Sequence, residues 1–246
     1  MVLTAVTFDL WQTLILDSPE RGGRRRQLLL DGAGEVLKEE GFDYPQERVQ
    51  AAYRQCQIEC NEVRAREEDV SFDEQIDIFL GHIDNDLLGR LSGDGRIRVA
   101  RRYTDAYLLR SPLVDEHAES VLRSLSEMGL KLALICNTGT TPGATQRVFL
   151  ERMGLLRYFE TLTFSDEERL SKPAAKIFHD TLRRLDAEPS QALHVGDHPR
   201  NDIVGAKRAG LTAVWIRRKD EPTEVEPDVA IDSLDQLTEV VARLVG

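Results

Sequence analysis

From Ser111 to the carboxyl end, helix and strand patterns alternate one for one, and this alternation limits the fold more than any other feature of the chain. Val114, Ala118, Val121, Leu122, Leu125 and Met128 recur at helical spacing and are closed by Gly129. Leu130 to Ile135 reads as a strand ending in Cys136-Asn137-Thr138-Gly139, and the helix after it runs to about Met153, closed by Gly154. Next come a strand over Leu162 to Phe164 and a helix opened by Lys172-Pro173, with Ile177, Phe178, Leu182 and Leu185 on its face. Ala192 to Val195 is a strand running into Gly196-Asp197, Val204 to Ala209 a helix closed by Gly210, and Thr212 to Ile216 another strand. Val229 to Ile231 reads as a last strand. Ser233 with Gln236 three residues on is a capping-box pattern for a final helix whose face is Leu234, Leu237, Val241 and Leu244. Repeated alternation of this kind predicts an α/β fold, a parallel sheet with helices on both faces.

The amino-terminal run Leu3 to Phe8 is a further buried strand, and it ends abruptly in Asp9. A carboxylate directly after a buried parallel strand stands at the carboxyl edge of the sheet, where open α/β proteins place their ligand crevice. Alone, such an Asp reads more readily as a turn cap, and only Lys172 and Asp197 downstream overturn that.

Between Asp17 and about Arg110 the character changes to helix after helix. Asp17-Ser18-Pro19-Glu20-Arg21-Gly22-Gly23 reads as a turn-rich exit from the first strand. Leu28 to Leu37 forms a first helix, ended by Gly41. Val49, Ala52, Tyr53, Cys56, Cys60 and Val63 form a second. Phe72, Ile76, Phe79, Leu80, Ile83 and Leu87 form a third, and Ile97, Ala100, Tyr103 and Tyr107 a fourth, with Gly89 and Gly93-Asp94-Gly95 as punctuation. The expected organisation is a core of residues 1–16 and 111–246 with an all-helical insertion over 17–110. Cys56 and Cys60 share a face, but an apolar stripe offers no further metal ligands, so buried small residues are expected there. Arg24, Arg25 and Arg26 form a basic cluster that is either a solvated face or an anion contact over the crevice.

The balance of 32 basic and 43 acidic side chains, a net charge of −11, argues against nucleic-acid or membrane-surface partners. No apolar run approaches the ~20 residues of a membrane span, and no signal-peptide pattern opens the chain. Three cysteines give no disulfide framework, which suits a cytoplasmic setting. The oligomeric state is open.

If the strands are parallel, Asp9, Cys136-Asn137-Thr138 and Asp197 converge at one edge, with Lys172 beside them. Several carboxylates with one lysine call for a cation, and an all-oxygen set suits Mg²⁺. Asp9 is then placed to attack phosphorus. Lys172 and the N–H groups after Cys136 are placed to hold phosphoryl oxygens.

Four stretches in order, FDLWQTL, LALICNTG, LSKPAAKIF and HVGDHPRNDIVGAKRAG, resemble the four motifs of the haloacid dehalogenase superfamily of aspartate-nucleophile hydrolases. The resemblance spans almost the whole chain and implies a Rossmann-like core with a helical cap that covers the site. It implies a small phosphorylated substrate, an aspartyl-phosphate on Asp9, and Mg²⁺ held by Asp9, the Trp11 carbonyl, Asp197 and Asp202, the last directly or through water. Lys172 would neutralise nucleophile and phosphate, with Cys136, Asn137 and Thr138 around the phosphoryl group. Cys136 stands where the family usually has Ser or Thr, so a weak S–H donor replaces a hydroxyl.

Trp11 is the largest departure, because phosphatases of this family usually have there a second Asp that protonates the leaving oxygen and activates water. Acid–base help is worth about 10²–10⁴-fold, so a phosphatase built this way is expected to be slow or narrowly specific. Two alternatives stay open: a metal-independent 2-haloacid dehalogenase, which resembles this chain in having an aromatic at that place, and a ligand-binding protein that has lost turnover. A phosphonoacetaldehyde hydrolase would want a cap lysine, for which Lys38 is the only residue available. His198, next to Asp197, is a candidate proton donor or a loop residue facing water. His117 and His179 lie on helical stretches.

Overall fold

The computed structural model describes residues 3–218 and 225–245. In chain order the elements are β1 (Ala5–Phe8), β2 (Ile15–Leu16), α1 (Pro19–Glu39), α2 (Gln46–Ala65), α3 (Phe72–Ile83), α4 (Leu87–Arg90) and α5 (Gly93–Leu109). They continue with β3 (Leu113–Val114), α6 (Ala118–Glu127), β4 (Lys131–Cys136), α7 (Gly143–Arg152), β5 (Thr161–Phe164), α8 (Ser165–Glu168) and α9 (Ala175–Arg184). The last are β6 (Ala192–Gly196), a π-helical segment Pro199–Val204, α10 (Gly205–Ala209), β7 (Thr212–Ile216), β8 (Val229–Ile231) and α11 (Gln236–Val245).

Six strands make one wholly parallel sheet in the order β5-β4-β1-β6-β7-β8, as the alternation predicts. The chain steps outward from β1 in both directions, so the carboxyl end of β1 is the topological switch point where a crevice opens. Register then fixes the neighbours. Phe8 is level with Leu134 and Val195, and Asp9 N–H extends the ladder to the Val195 carbonyl at 2.9 Å. Asp9 therefore leaves the sheet beside Gly196-Asp197.

Strand side chains alternate between two apolar layers. Val6, Phe8, Leu132, Leu134, Leu193 and Val195 meet Val121 and Leu125 of α6, Phe149 of α7 and Leu237 and Val241 of α11. Ala5, Ala133, Ile135, Ala192 and Ala213 meet Ile177, Phe178 and Leu182 of α9 and Ala206 of α10. The helical insertion has its own core, with Leu30, Val36 and Leu37 of α1, Val49 and Cys56 of α2, Ile76 and Phe79 of α3 and Val99 of α5.

Several boundaries differ from the sequence reading for local reasons. Helix α1 begins at Pro19 rather than near Leu28. Ser18 caps it by accepting from Arg21 N–H at 3.2 Å, and Pro19 stands in the first turn, where its missing N–H costs nothing. The expected turn is thus helix, on which Arg25 and Arg26 face one cleft and Arg24 pairs with Glu20 outside it. Gly93 to Gly95 are the first turn of α5 and not a break, because Ser92 accepts from Gly95 N–H at 2.8 Å. Helix α3 stops at Ile83, and Leu87 belongs to the short α4.

Val114 is not on the α6 face. It pairs with Ile15 in an antiparallel ribbon, β2–β3, where the chain leaves and re-enters the core. The capping pattern before α11 is also shifted: the Gln236 side chain accepts from Asp232 N–H at 2.9 Å rather than from Ser233.

Candidate active site

Lys172 is the hub of the site. The residue is 2 % exposed, and its ammonium donates to Asp9 Oδ1 at 2.7 Å and to Asp202 Oδ1 at 2.6 Å. Burial pulls the ammonium toward neutrality, but Asp202 and Asp9 reverse this and leave it above the ordinary lysine value. The backbone is held as firmly. Asn137 Oδ1 accepts from Lys172 N–H at 2.9 Å, and Asn137 Nδ2 donates to the Lys172 carbonyl at 3.0 Å.

Asp202 lies beneath Gly196 so closely that a Cβ there would stand 2.2 Å from its Cγ. It reaches this position because His198 N–H donates to Oδ2 at 2.9 Å in the opening turn of the π-helical segment. His194, fully buried, holds Thr7 Oγ1 at 2.9 Å through Nδ1 and Asp202 Oδ1 at 3.2 Å through Nε2. Burial would raise the Asp202 carboxyl, yet Lys172 and His194 outweigh it and hold the group well below the carboxylate range.

Oxygens of Asp9, Asp197 and Asp202 lie within 4.8 Å of one another. One lysine cannot neutralise three carboxylates. Burial first, with Asp202 adding to it against Lys172, pushes Asp9 up to about 6. Burial followed by Asp9 and Asp202 pushes Asp197 up to about 8. A buried all-oxygen set with surplus negative charge suits a hard divalent cation, so these residues fit such an ion.

The side chains after β4 are engaged elsewhere. Cys136 Sγ is buried and donates to Gln146 Oε1 at 3.3 Å. Thr138 N–H donates to Ser165 Oγ at 2.9 Å, and its hydroxyl lies 3.3 Å from the same oxygen. Asn137 spends its amide on Lys172. Trp11 packs edge-on to Tyr107 at 5.9 Å, with the Arg25 guanidinium over both rings at 5.6 and 5.5 Å. No carboxylic acid stands at that place.

Above Asp197 opens a cleft of about 670 Å³ between α1 and the core loops, and Arg25 and Arg26 are on its wall. Arg25 ion-pairs with Asp17 at 2.5 Å and donates to the Arg110 carbonyl at 3.1 Å, so it ties both crossings of the insertion. Arg24 is exposed and pairs with Glu20 at 2.7 Å, away from the cleft.

Other candidates lie elsewhere. His198 is exposed and its Nδ1 accepts from Arg200 and Asn201 N–H, which makes it a helix cap. His179 contacts the Ala209 carbonyl at 2.9 Å, His117 precedes α6, and Lys38 pairs with Asp43 at 3.5 Å. Cys56 and Cys60 lie 3.9 Å apart in the apolar core of the insertion and join no metal-ligating cluster among the described residues.

Sequence reasoning missed His194, which carries one signal: a polar side chain inside an apolar strand run. It also missed Asp69, 2 % exposed, which accepts from Ser165 Oγ at 2.6 Å and Arg64 Nε at 2.9 Å and so joins the insertion to the start of α8, just after β5. No local pattern marked that contact.

The profile of the haloacid dehalogenase-like hydrolases matches residues 3–210. The chain is a haloacid dehalogenase-like hydrolase. It is 31% identical to a ribulose-1,5-bisphosphate 5-phosphatase of Halopiger xanaduensis, over 97% of this chain and 99% of that one. It is 34% identical to a phosphoserine phosphatase of Thermus thermophilus over 56% of each chain. Among solved structures, a 2-haloacid dehalogenase of Pseudomonas syringae superposes with a TM-score of 0.75 at 26% identity, covering 98% of this chain and 99% of that one. A phosphatase of the same family from Thermococcus onnurineus gives 0.63 at 26% identity, with 97% and 98% covered. No helix among the described residues of this hydrolase is long and apolar enough to cross a membrane.

Proposed function

We propose that this hydrolase is a Mg²⁺-dependent phosphatase of a small phosphorylated metabolite, working through an aspartyl-phosphate on Asp9. The observation that carries this reading is the meeting of Asp9, Lys172, Asp197 and Asp202 under one cleft, with more carboxylate charge than Lys172 offsets. The phosphatase relatives support the substrate class.

We assign the ion to Asp9, Asp197 and the Trp11 carbonyl. Asp202, whose oxygens both accept from protein donors, orients Lys172 and would assist in holding the ion, directly or through water. When bound, Mg²⁺ draws charge from the phosphoryl oxygens and offsets the carboxylates. Lys172 fixes Asp9 by one oxygen, which leaves the other to attack. As that oxygen bonds to phosphorus the ester P–O bond breaks, and the departing alkoxide takes its proton from water in the cleft, since Trp11 has none to give. A second water then adds to phosphorus and gives its proton to the hydroxide left by the first, the Asp9–phosphate bond breaks, and inorganic phosphate leaves with the carboxylate restored. The helical insertion over 17–110 acts as the cap that shapes the cleft.

The test is phosphate release from a broad panel of phosphate esters. Activity that disappears with a chelator, returns with Mg²⁺ and is absent in Asp9→Asn supports the reading. No release from any ester overturns it. Trp11 and the similarity to the Pseudomonas syringae dehalogenase favour a second reading, metal-independent hydrolysis of a 2-haloacid. Halide release indifferent to chelator would select it.

A further inference from the structure

The cleft above Asp197 carries a positive charge that its own walls do not use. Three guanidinium groups line it, from Arg25, Arg26 and Arg218. Arg25 is paired with Asp17, and Arg218 with Asp115 at 2.7 Å while it also donates to the Gln12 and Thr13 carbonyls. Arg26 has no carboxylate at ion-pair distance among the described residues. It sits one residue beyond Arg25 on α1, at the end of the cleft formed by the insertion.

The same wall offers a hydrogen-bond donor without an acceptor. Tyr103 lines the cleft at 2 % exposure, and its hydroxyl is buried with no partner. A buried polar atom left unpaired is unfavourable, and it marks a place where something else is meant to bind. Tyr53 shares that wall. Guanidinium only donates, and a neutral phenol donates readily, so together they select an acceptor with negative charge. The cleft of about 670 Å³ has room for more than one phosphoryl group.

We propose that the cleft takes a phosphate ester bearing a second anionic group, with the reacting phosphate over Asp9 and the other group against Arg26 and the Tyr103 hydroxyl. This rests on the phosphatase reading above and narrows its substrate class. Arg26 then sets specificity and touches no reacting atom.

The test uses the full chain with Mg²⁺ and three matched series: α,ω-alkanediol monophosphates, the corresponding bisphosphates, and ω-phosphoalkanoic acids. Phosphate release gives kcat and KM, and calorimetry on the Asp9→Asn protein gives binding without turnover. The expected result is a KM on the order of tenfold lower for a doubly anionic ester than for the monophosphate of equal length. Arg26→Gln removes most of that advantage through KM, Arg26→Lys restores part of it, and Tyr103→Phe weakens it. Arg24→Gln, outside the cleft, leaves the ratio unaltered. Preference for the bisphosphates identifies the second group as phosphate, and preference for the phosphoalkanoic acids identifies it as carboxylate. Phosphate release with equal KM across the series, or a ratio untouched by Arg26→Gln, overturns this proposal and leaves the phosphatase reading standing. Selective binding to Asp9→Asn with no turnover by the native chain retains the proposal and removes the catalysis. Neither binding nor release removes both.

Discussion

Asn137 clamps the main chain of Lys172 at two points, accepting from its N–H at 2.9 Å and donating to its carbonyl at 3.0 Å. The clamp crosses from the loop after β4 to the start of the segment that leads into α9. It fixes where the lysine side chain begins its reach toward Asp9.

Asn137→Ala removes both hydrogen bonds. Each is worth about 0.5–1.5 kcal/mol net, so a stability loss of about 1–3 kcal/mol is expected in urea unfolding. The effect on turnover is expected to be larger, on the order of 10²-fold in kcat, because a displaced lysine no longer holds Asp9 in line. A kcat unchanged in a folded Asn137→Ala protein would show that Lys172 is placed by its carboxylate partners alone.

Gly196→Ala tests the cradle under Asp202. The added Cβ would lie 2.2 Å from Asp202 Cγ, a distance no relaxed structure tolerates, and the neighbour is a carboxyl pinned by three donors rather than a flexible tip. Overpacking of this kind costs about 1–3 kcal/mol, and here it also pulls Asp202 from Lys172. A lowered melting temperature together with lost Mg²⁺ affinity is expected. A fully stable Gly196→Ala protein would mean that Asp202 moves freely.

The parallel sheet was legible because strands buried on both faces read as apolar runs between helical patterns, and three such runs end in chemistry-bearing residues. Asp9, Asp197 and Lys172 were legible for the same reason: each stands at an element end on the crevice side. What escaped was decided across the chain. His194 meets Asp202 through a strand-to-helix contact, Asp69 meets Ser165 between the insertion and the core at a separation of 96 residues, and Arg25 crosses to the Arg110 carbonyl. Cys136 ends β4 and Asn137 and Thr138 follow on the loop, yet their side chains are committed to Gln146, Lys172 and Ser165, which spacing cannot reveal. The start of α1 was the opposite case. Ser18-Pro19 carries a helix-start signal that the following glycines obscured.

The carboxylate cluster makes the metal-free protein pH-sensitive. Asp9 rises to about 6 and Asp197 to about 8, from 3.8, so in the folded state they hold protons that the unfolded chain has released. Where the folded state binds more protons, stability falls as pH rises, so the loss runs from the ordinary carboxylate range up to about 8. Asp202 behaves oppositely: its depressed value gives stability above that range which is lost in acid. Mg²⁺ binds the ionised carboxylates, so its stabilisation grows with pH and levels off near 8. Melting temperatures with and without Mg²⁺ across this interval check the pattern. An Mg²⁺-induced shift of equal size throughout would disprove the surplus charge.

Trp11 sits where an acid would serve the leaving group, and its ring is held between Tyr107 and the Arg25 guanidinium. Without an acid the departing oxygen must carry its charge into water, so turnover by the native chain should depend steeply on leaving-group pKa. Aryl phosphates are expected to react much faster than alkyl phosphates. Trp11→Asp supplies a carboxyl at the same place, next to Arg25. The indole is half-buried, so its loss costs less than the about 3–5 kcal/mol of a fully buried Trp, and the variant is measured well below its transition. Acid assistance is worth about 10²–10⁴-fold, and it helps poor leaving groups most. Alkyl-ester turnover is therefore expected to rise relative to aryl-ester turnover and the leaving-group dependence to flatten. An equally steep dependence in Trp11→Asp would show that another group already delivers the proton, and the low turnover expected from Trp11 would lose its cause.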